Sequence, residues 1–252
     1  LVSLYGANLA PATEEAVNFS TSVAGVQVLV NDRPAPIRLV SPGLINFVIP
    51  WGTVEGIARI QVVNNGTQSN AVTTFVNQTT PGVFTVPAGG VGYAAALRGP
   101  DLSLVTAQNP ARPGEVIAVY LTGLGDVAPA VMDATPGPTN PLSLVTNPIA
   151  AFVDGEEAEV TFAGLAPTLI GLYQINLQIP SGIAPGDVFL DVSGPDSYNS
   201  QVRLPIGGAA AGTSDAGALE SERSAIQVRR GRTRGRPAAE AGRIRSLGTR
   251  RR

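Results

Sequence analysis

The 252-residue chain has no cysteine and no histidine, and all 17 of its basic residues are arginine, so lysine is missing as well. These absences close much of enzyme chemistry. Without His or Cys there is no Ser-His-Asp triad, no thiol nucleophile and no ordinary zinc site. Without Lys there is neither a Schiff base nor a phosphate-binding P-loop. What remains is mainly carboxylate work. Charge is sparse at 14% of positions and aromatics make up 5%, against 29 Gly and 21 Pro. No apolar run approaches the ~20 residues a membrane-spanning helix needs.

The net charge of −2 hides an asymmetry. Residues 1–208 carry six Arg against 15 acids, whereas 209–252 carry 11 Arg against four. An acidic body does not favour nucleic acid, itself a polyanion. The segment 209–252 has few apolar residues and no sustained period, so it is expected to be a disordered tail. Three readings of it stand: an arm for a polyanion, a patch adhering to anionic surfaces or acidic bodies, and a functionless extension, translated out of frame in a GC-rich source. The last is favoured. The chain begins at Leu1 inside an apolar run, which leads to the expectation of a fragment or processed product.

Short runs rich in Val, Ile, Phe and Tyr recur between turn signals, the pattern of an all-β protein. They lie at 26–30, 45–49, 57–63, 72–76, 117–121, 158–162, 173–179 and 188–192. Asn31-Asp32, Asn64-Asn65-Gly66, Asp154-Gly155 and Ser193-Gly194-Pro195-Asp196 punctuate them. No stretch of 1–208 sustains helical periodicity.

The runs also repeat. Ile45-Asn46-Phe47-Val48-Ile49-Pro50 returns 130 residues later as Ile175-Asn176-Leu177-Gln178-Ile179-Pro180. Ser3 to Leu9 parallels Ala118 to Leu124 at an offset of 115. The Pro-rich stretch 135–148 is expected to take up the 15-residue difference as an inserted loop. Val28 to Val30 matches Ala151 to Val153. Each unit then holds about seven strands, the size of an immunoglobulin-like sandwich. The expected organisation is a first sandwich over 1–80, a linker and hairpin over 81–113 packed on the second sandwich, a second sandwich over 114–208, and the tail. The hairpin is expected from 93–97 and 102–105 around a turn at 99–101.

On these residues each unit resembles the IPT/TIG type of Ig-like domain. It has an opening strand with a G-x-N-L turn (Gly6-Ala7-Asn8-Leu9, weaker at 122–125), a strand and hairpin, a strand ending in Pro, and a closing Ser-Asn pair. Residues 1–207 are similar to a narrower family, an uncharacterised C-terminal domain of large secreted acidobacterial proteins. The stretches that carry the likeness are VLVNDRPAPIRLVSPGLINFVIPW, TTPGVF, NPARPGEVIAVYLTGLG and FAGLAPTLIGLYQINLQIP. The resemblance implies an extracellular β module joined to other domains, with no established activity and no catalytic residues to carry over; no cofactor is expected. The tail departs from that pattern.

Several groups compete for a chemical role. Gly123-Leu124-Gly125-Asp126-Val127-Ala128 matches a loose dinucleotide fingerprint, but prolines follow where the motif needs a helix. Phe189 to Gly194 faintly matches an aspartic-protease strand, yet Val192 separates Asp191 from Ser193-Gly194 and there is no second copy. Asp154, Glu156, Glu157 and Glu159 crowd one hairpin and are candidate oxygen ligands for Ca²⁺, without a preformed calcium-loop spacing. A solvated hairpin tip is the favoured account of them. Trp51 and Tyr198 are candidate stacking surfaces for a cell-surface or other glycan, and the loop 135–148 is a further one. Packing is favoured for Trp51, and for Tyr5 and Tyr120, which hold equivalent positions. The function expected is a non-catalytic extracellular spacer or adhesion module of a larger secreted protein. The alternative is a carbohydrate- or cell-envelope-binding module.

Overall fold

The computed structural model describes residues 1–99 and 101–208, so the tail expected over 209–252 lies outside the described residues. Among these residues every regular element is a strand, arranged in four sheets. The protein is all-β and folds as two Ig-like sandwiches. Both lie in one compact unit.

Alternation explains the strands. Val26–Val30 buries Val26, Val28 and Val30 and leaves the residues between half-buried. Tyr173–Gln178 does the same with Tyr173, Ile175 and Leu177. Side chains two apart share a face, so one apolar file enters the core. Three hairpins close through two-residue turns with positive φ at both positions: Asn31-Asp32 (49° and 62°), Asn65-Gly66 (48° and 82°) and Asp154-Gly155 (52° and 80°). Such turns match the twist of the strands they join.

In the first sandwich, one sheet sets Val2–Tyr5, Leu44–Phe47, Ile37–Val40 and Glu14–Ser20 side by side. The other centres on Gly56–Asn64, flanked by Val26–Val30 and Val72–Val76. Phe47, Ile45, Ile37 and Val28 form its core. The second sandwich places Val116–Thr122, Tyr173–Gln178 and Val160–Leu165 in one sheet. Ala150–Val153, Gly186–Gly194 and Ser197–Ile206 form the other. Ile117, Leu121, Ile175, Leu177, Leu190 and Leu204 are buried between them.

The pairings coincide residue by residue. Val2 faces Phe47 as Ile117 faces Leu177, and Leu4 faces Ile45 as Val119 faces Ile175. Val28 faces Val62 as Ala151 faces Val192. Even a register irregularity recurs, between Ile37 and Leu39 and between Val160 and Phe162.

The offset does not change where the sequence suggested. It is 115 at Val2 and Ile117, 123 at Ile37 and Val160, and 130 at Ile45 and Ile175. The extra length therefore does not sit in 135–148 alone; part of it lies in the loop before Tyr173. The two inserted loops hydrogen-bond to each other, Gly137 N–H to Leu169 O and Thr168 N–H to Gly137 O. Their mutual support is a tertiary contact, invisible to local pattern.

The segment between the sandwiches is also more structured than a single hairpin. Gly82–Val83 and Ala96–Arg98 both pair with Val116–Thr122. Thr85–Val86 pairs with Gly92–Ala94, which runs parallel to Ser197–Ile206. Of the expected 93–97/102–105 hairpin the end near the turn is present: Leu97 bridges Leu104, Arg98 N–H donates to Ser103 O and Val105 N–H to Ala96 O.

Candidate functional site

The place where chain segments from both sandwiches converge is the junction between them. A cleft of about 720 Å³ lies there. One wall comes from the first sandwich: Val2, Pro50, Trp51, Phe75 and Val76. The other comes from the second: Thr122, Asp126, Val131, Thr146 and Tyr173.

Trp51 sits at the centre of the junction. It follows the strand Leu44–Phe47 of the first sandwich, yet its half-buried ring packs against the core of the second. Its backbone is held at both ends of the peptide. The Trp51 N–H donates to Asp133 Oδ1 at 2.7 Å, and its carbonyl accepts from Arg33 at 2.5 Å. Arg33 also donates to Asp133 Oδ2 at 2.5 Å, closing a ring of three residues from two sandwiches. Asp133 belongs to the inserted loop region of the second sandwich, and its side chain is 27% exposed. Sequence pattern offered no signal for it, because Asp133 lies in no motif and is 100 positions from Arg33.

The linker is pinned as tightly. Asp196 accepts from the N–H groups of Gln78 and Thr79 and from the Thr79 hydroxyl at 2.8–3.1 Å. Desolvation opposes its ionisation, but these hydrogen bonds together hold its carboxyl below the usual range. Thr80 N–H donates to Gly123 O at 2.7 Å. Here the glycine motif finds its structural role. Gly123 and Gly125 have φ of 78° and 82°, and a Cβ on either would run into the carbonyl of Thr80 or Gln78. The glycines let the linker lie against the strand end. A strand at Val127–Ala128 follows, not a helix, so no dipole faces a phosphate.

Tyr173 lies under this contact. It is buried, and its hydroxyl donates to Gly125 O at 2.5 Å. Burial foremost, and then the nearby Asp126, push its phenol well above the ordinary range. Leu1 reaches the same cleft. Its nitrogen donates to Thr122 Oγ1 at 2.5 Å.

The other candidates do not join this site. Tyr198 is exposed on Ser197–Ile206 and does not line the cleft that Trp51 lines. Residues of the loop 135–148, namely Thr135, Thr146 and Asn147, do line it. Tyr5 is 76% exposed, contrary to the packing expected of it. The core face of its strand is that of Val2 and Leu4, so the next residue points outward. Tyr120 is half-buried.

Asp154, Glu156 and Glu157 are exposed at their hairpin. Glu156 pairs with Val153 and Glu157 with Phe152, so the two carboxylates leave opposite faces of the strand. They do not converge on one point. Among the described residues no group of three or more His, Cys, Asp or Glu is placed to hold a metal ion, and the calcium reading gains nothing from this geometry. Asp191, the one acid of the protease-like stretch, is buried in the centre of its sheet with Oδ1 unpaired.

No curated protein matches the chain. Among solved structures the chain is similar to SGBP-B of the Bacteroides ovatus mixed-linkage glucan utilization locus, in complex with a mixed-linkage heptasaccharide. The identity is 14% and the TM-score 0.32, over 82% of this chain and 42% of that one. The chain thus spans less than half of that protein's length, and at that score the likeness says nothing of what this chain binds. The family comparison agrees with the strand pattern of the first sandwich: residues 1–77 match the IPT/TIG domain.

Proposed function

We propose that residues 1–208 form a non-catalytic extracellular module that holds the other domains of a larger secreted protein at a fixed spacing or attaches them to a surface. The observation that carries this reading is the locked junction. Trp51 packs on the neighbouring core while Asp133 and Arg33 grip its backbone, and Asp196 ties down the linker. A spacer works by shape, and shape is kept only if its joints do not bend. An interface of this kind within one chain would otherwise allow relative motion. The extracellular setting is what the resemblance in the sequence implies, and the IPT/TIG match over residues 1–77 is compatible with it.

The test is ¹⁵N relaxation on the chain. One rotational correlation time is expected for both sandwiches. Two independent values would remove the basis of the spacer reading, and turnover of a substrate would remove its non-catalytic part.

A second reading, glycan or cell-envelope binding, is favoured by one feature. The cleft combines the Trp51 ring with hydroxyls and amides from Thr53, Gln78, Thr135, Thr146 and Asn147. It predicts saturable retention on an immobilised glycan, weakened by Trp51→Ala.

A further inference from the structure

The matching registers let each sandwich serve as a template for the other, and they differ in one respect. The second sandwich is completed by the segment 82–98. Ala96–Arg98 and Gly82–Val83 extend the sheet beyond Val116–Thr122. Gly92–Ala94 extends the opposite sheet beyond Ser197–Ile206, running parallel to it at Val202 and Arg203. Val83, Ala94 and Ala96 enter the core with Ile117, Val119, Val202 and Leu204, all buried. Arg98 anchors the segment by a bidentate pair to Glu115, at 2.6 and 2.9 Å.

The corresponding edges of the first sandwich are bare. Val2–Tyr5 ends its sheet and Val72–Val76 pairs with Gly56–Asn64 alone, among the described residues. The positions equivalent to Val202, Leu204 and Ile206 are Val72, Thr74 and Val76, by pairing with Ile60, Ala58 and Gly56 as with Leu190, Val188 and Gly186. Val72 is 42% exposed and Thr74 is exposed, where Val202 and Leu204 are fully buried. Val2 and Leu4 are half-buried, where Ile117 and Val119 are fully buried. Val2, Ile60, Thr74 and Val76 line the same cleft as the junction, so this flank is continuous with the interface already formed by the second sandwich. Beside it, Ile57 and Phe75 form an exposed cross-strand pair, of which Phe75 also lines the cleft.

We propose that this open flank of the first sandwich is a receptor for an extended polypeptide segment of the type of 82–98, entering from the amino-terminal side of Leu1. Its strands add to the free edges of Val2–Tyr5 and Val72–Val76. The entry side follows from connectivity: 82–98 precedes Val116–Thr122, and Leu1 corresponds to Val116. The chemistry follows from the edges. A strand offers N–H and C=O groups at the spacing a free edge requires, and its alternate side chains fill the flank. Small and β-branched residues suit it, as Val83, Ala94 and Ala96 do in the second sandwich. The inference goes beyond the spacer reading and does not depend on it, since a flexible pair of sandwiches would accept the strand equally.

The experiment appends a second copy of residues 78–115 directly before Leu1 of the full chain and follows amide hydrogen exchange. A scrambled copy of the segment is the control. Exchange at residues 2–4 and 72–74 is expected to slow at least tenfold with the native segment and not with the scrambled one. Val72→Lys, which sets a charge against the added strand, is expected to abolish the gain; in the unextended chain it has little effect, because Val72 is already part-exposed. If the extended chain aggregates, the same segment is added as a free peptide and must protect the same amides at millimolar concentration. The proposal is overturned if neither form protects these residues. It is equally overturned if the unextended chain protects them by concentration-dependent self-association, or if a neutral β-linked oligosaccharide protects them and the segment does not.

Discussion

Removing the carboxylate of Asp133 is the sharpest perturbation of the junction. Two hydrogen bonds end on it: one from the Trp51 backbone, one from Arg33. The Arg33 side chain is 48% exposed, so its charge pair contributes at the surface value, about 0.5 kcal/mol. The Trp51 N–H makes a part-buried hydrogen bond, and losing a charged acceptor there costs about 1.5 kcal/mol. The sum, about 2 kcal/mol, changes the ratio of docked to undocked junctions roughly 30-fold. Asp133→Ala should therefore loosen the joint without unfolding either sandwich, whose cores it does not touch. Trp51 is the only tryptophan in the chain and reports the event directly. Its emission should shift to the red, and the correlation times of the two sandwiches should separate, while the far-ultraviolet spectrum stays that of the wild type. High salt should produce a weaker version of the same change, since the exposed part of the pair is screened. Unchanged Trp51 emission together with a single correlation time would refute the account of the junction given above.

Two further outcomes follow from the linker contact. Gly123→Ala places a Cβ against the Thr80 carbonyl at a backbone φ of 78°, whereas Gly66→Ala meets open space at φ 82°. Both carry the conformational cost of about 1 kcal/mol, so a melting comparison should show Gly123→Ala as clearly the more destabilised; equal losses would deny the close approach. For Tyr173 the sign is fixed by its raised pKa. The folded state holds the neutral phenol while the unfolded chain releases its proton near pH 10, so the stability it contributes is intact below that pH and falls as pH rises beyond it. Alkaline denaturation should be less steep in Tyr173→Phe, which also loses the hydrogen bond to Gly125 O at a cost of about 1 kcal/mol near neutrality; an identical alkaline limb would exclude Tyr173 as its source.

The sequence by itself determined the strands and their facing. Ile45, Phe47, Ile175 and Leu177 enter the cores because side-chain direction alternates with a period of two, which is a local property. The hairpin turns were equally local, since Asn and Asp beside Gly tolerate positive φ. The tertiary structure decided what distant segments do to each other. It made Trp51 a joint, by setting it on a core whose residues run from Val83 to Ile206. It turned the Gly123-Leu124-Gly125 stretch from a nucleotide motif into a berth for the linker, and it dispersed the acidic hairpin residues over two faces. It also split the extra length of the second unit between two loops that bond to one another. Periodicity encodes which way a side chain points; only the folded chain settles what it meets there, because partners such as Arg33 and Asp133 share no local pattern and are brought together by the packing of the sandwiches.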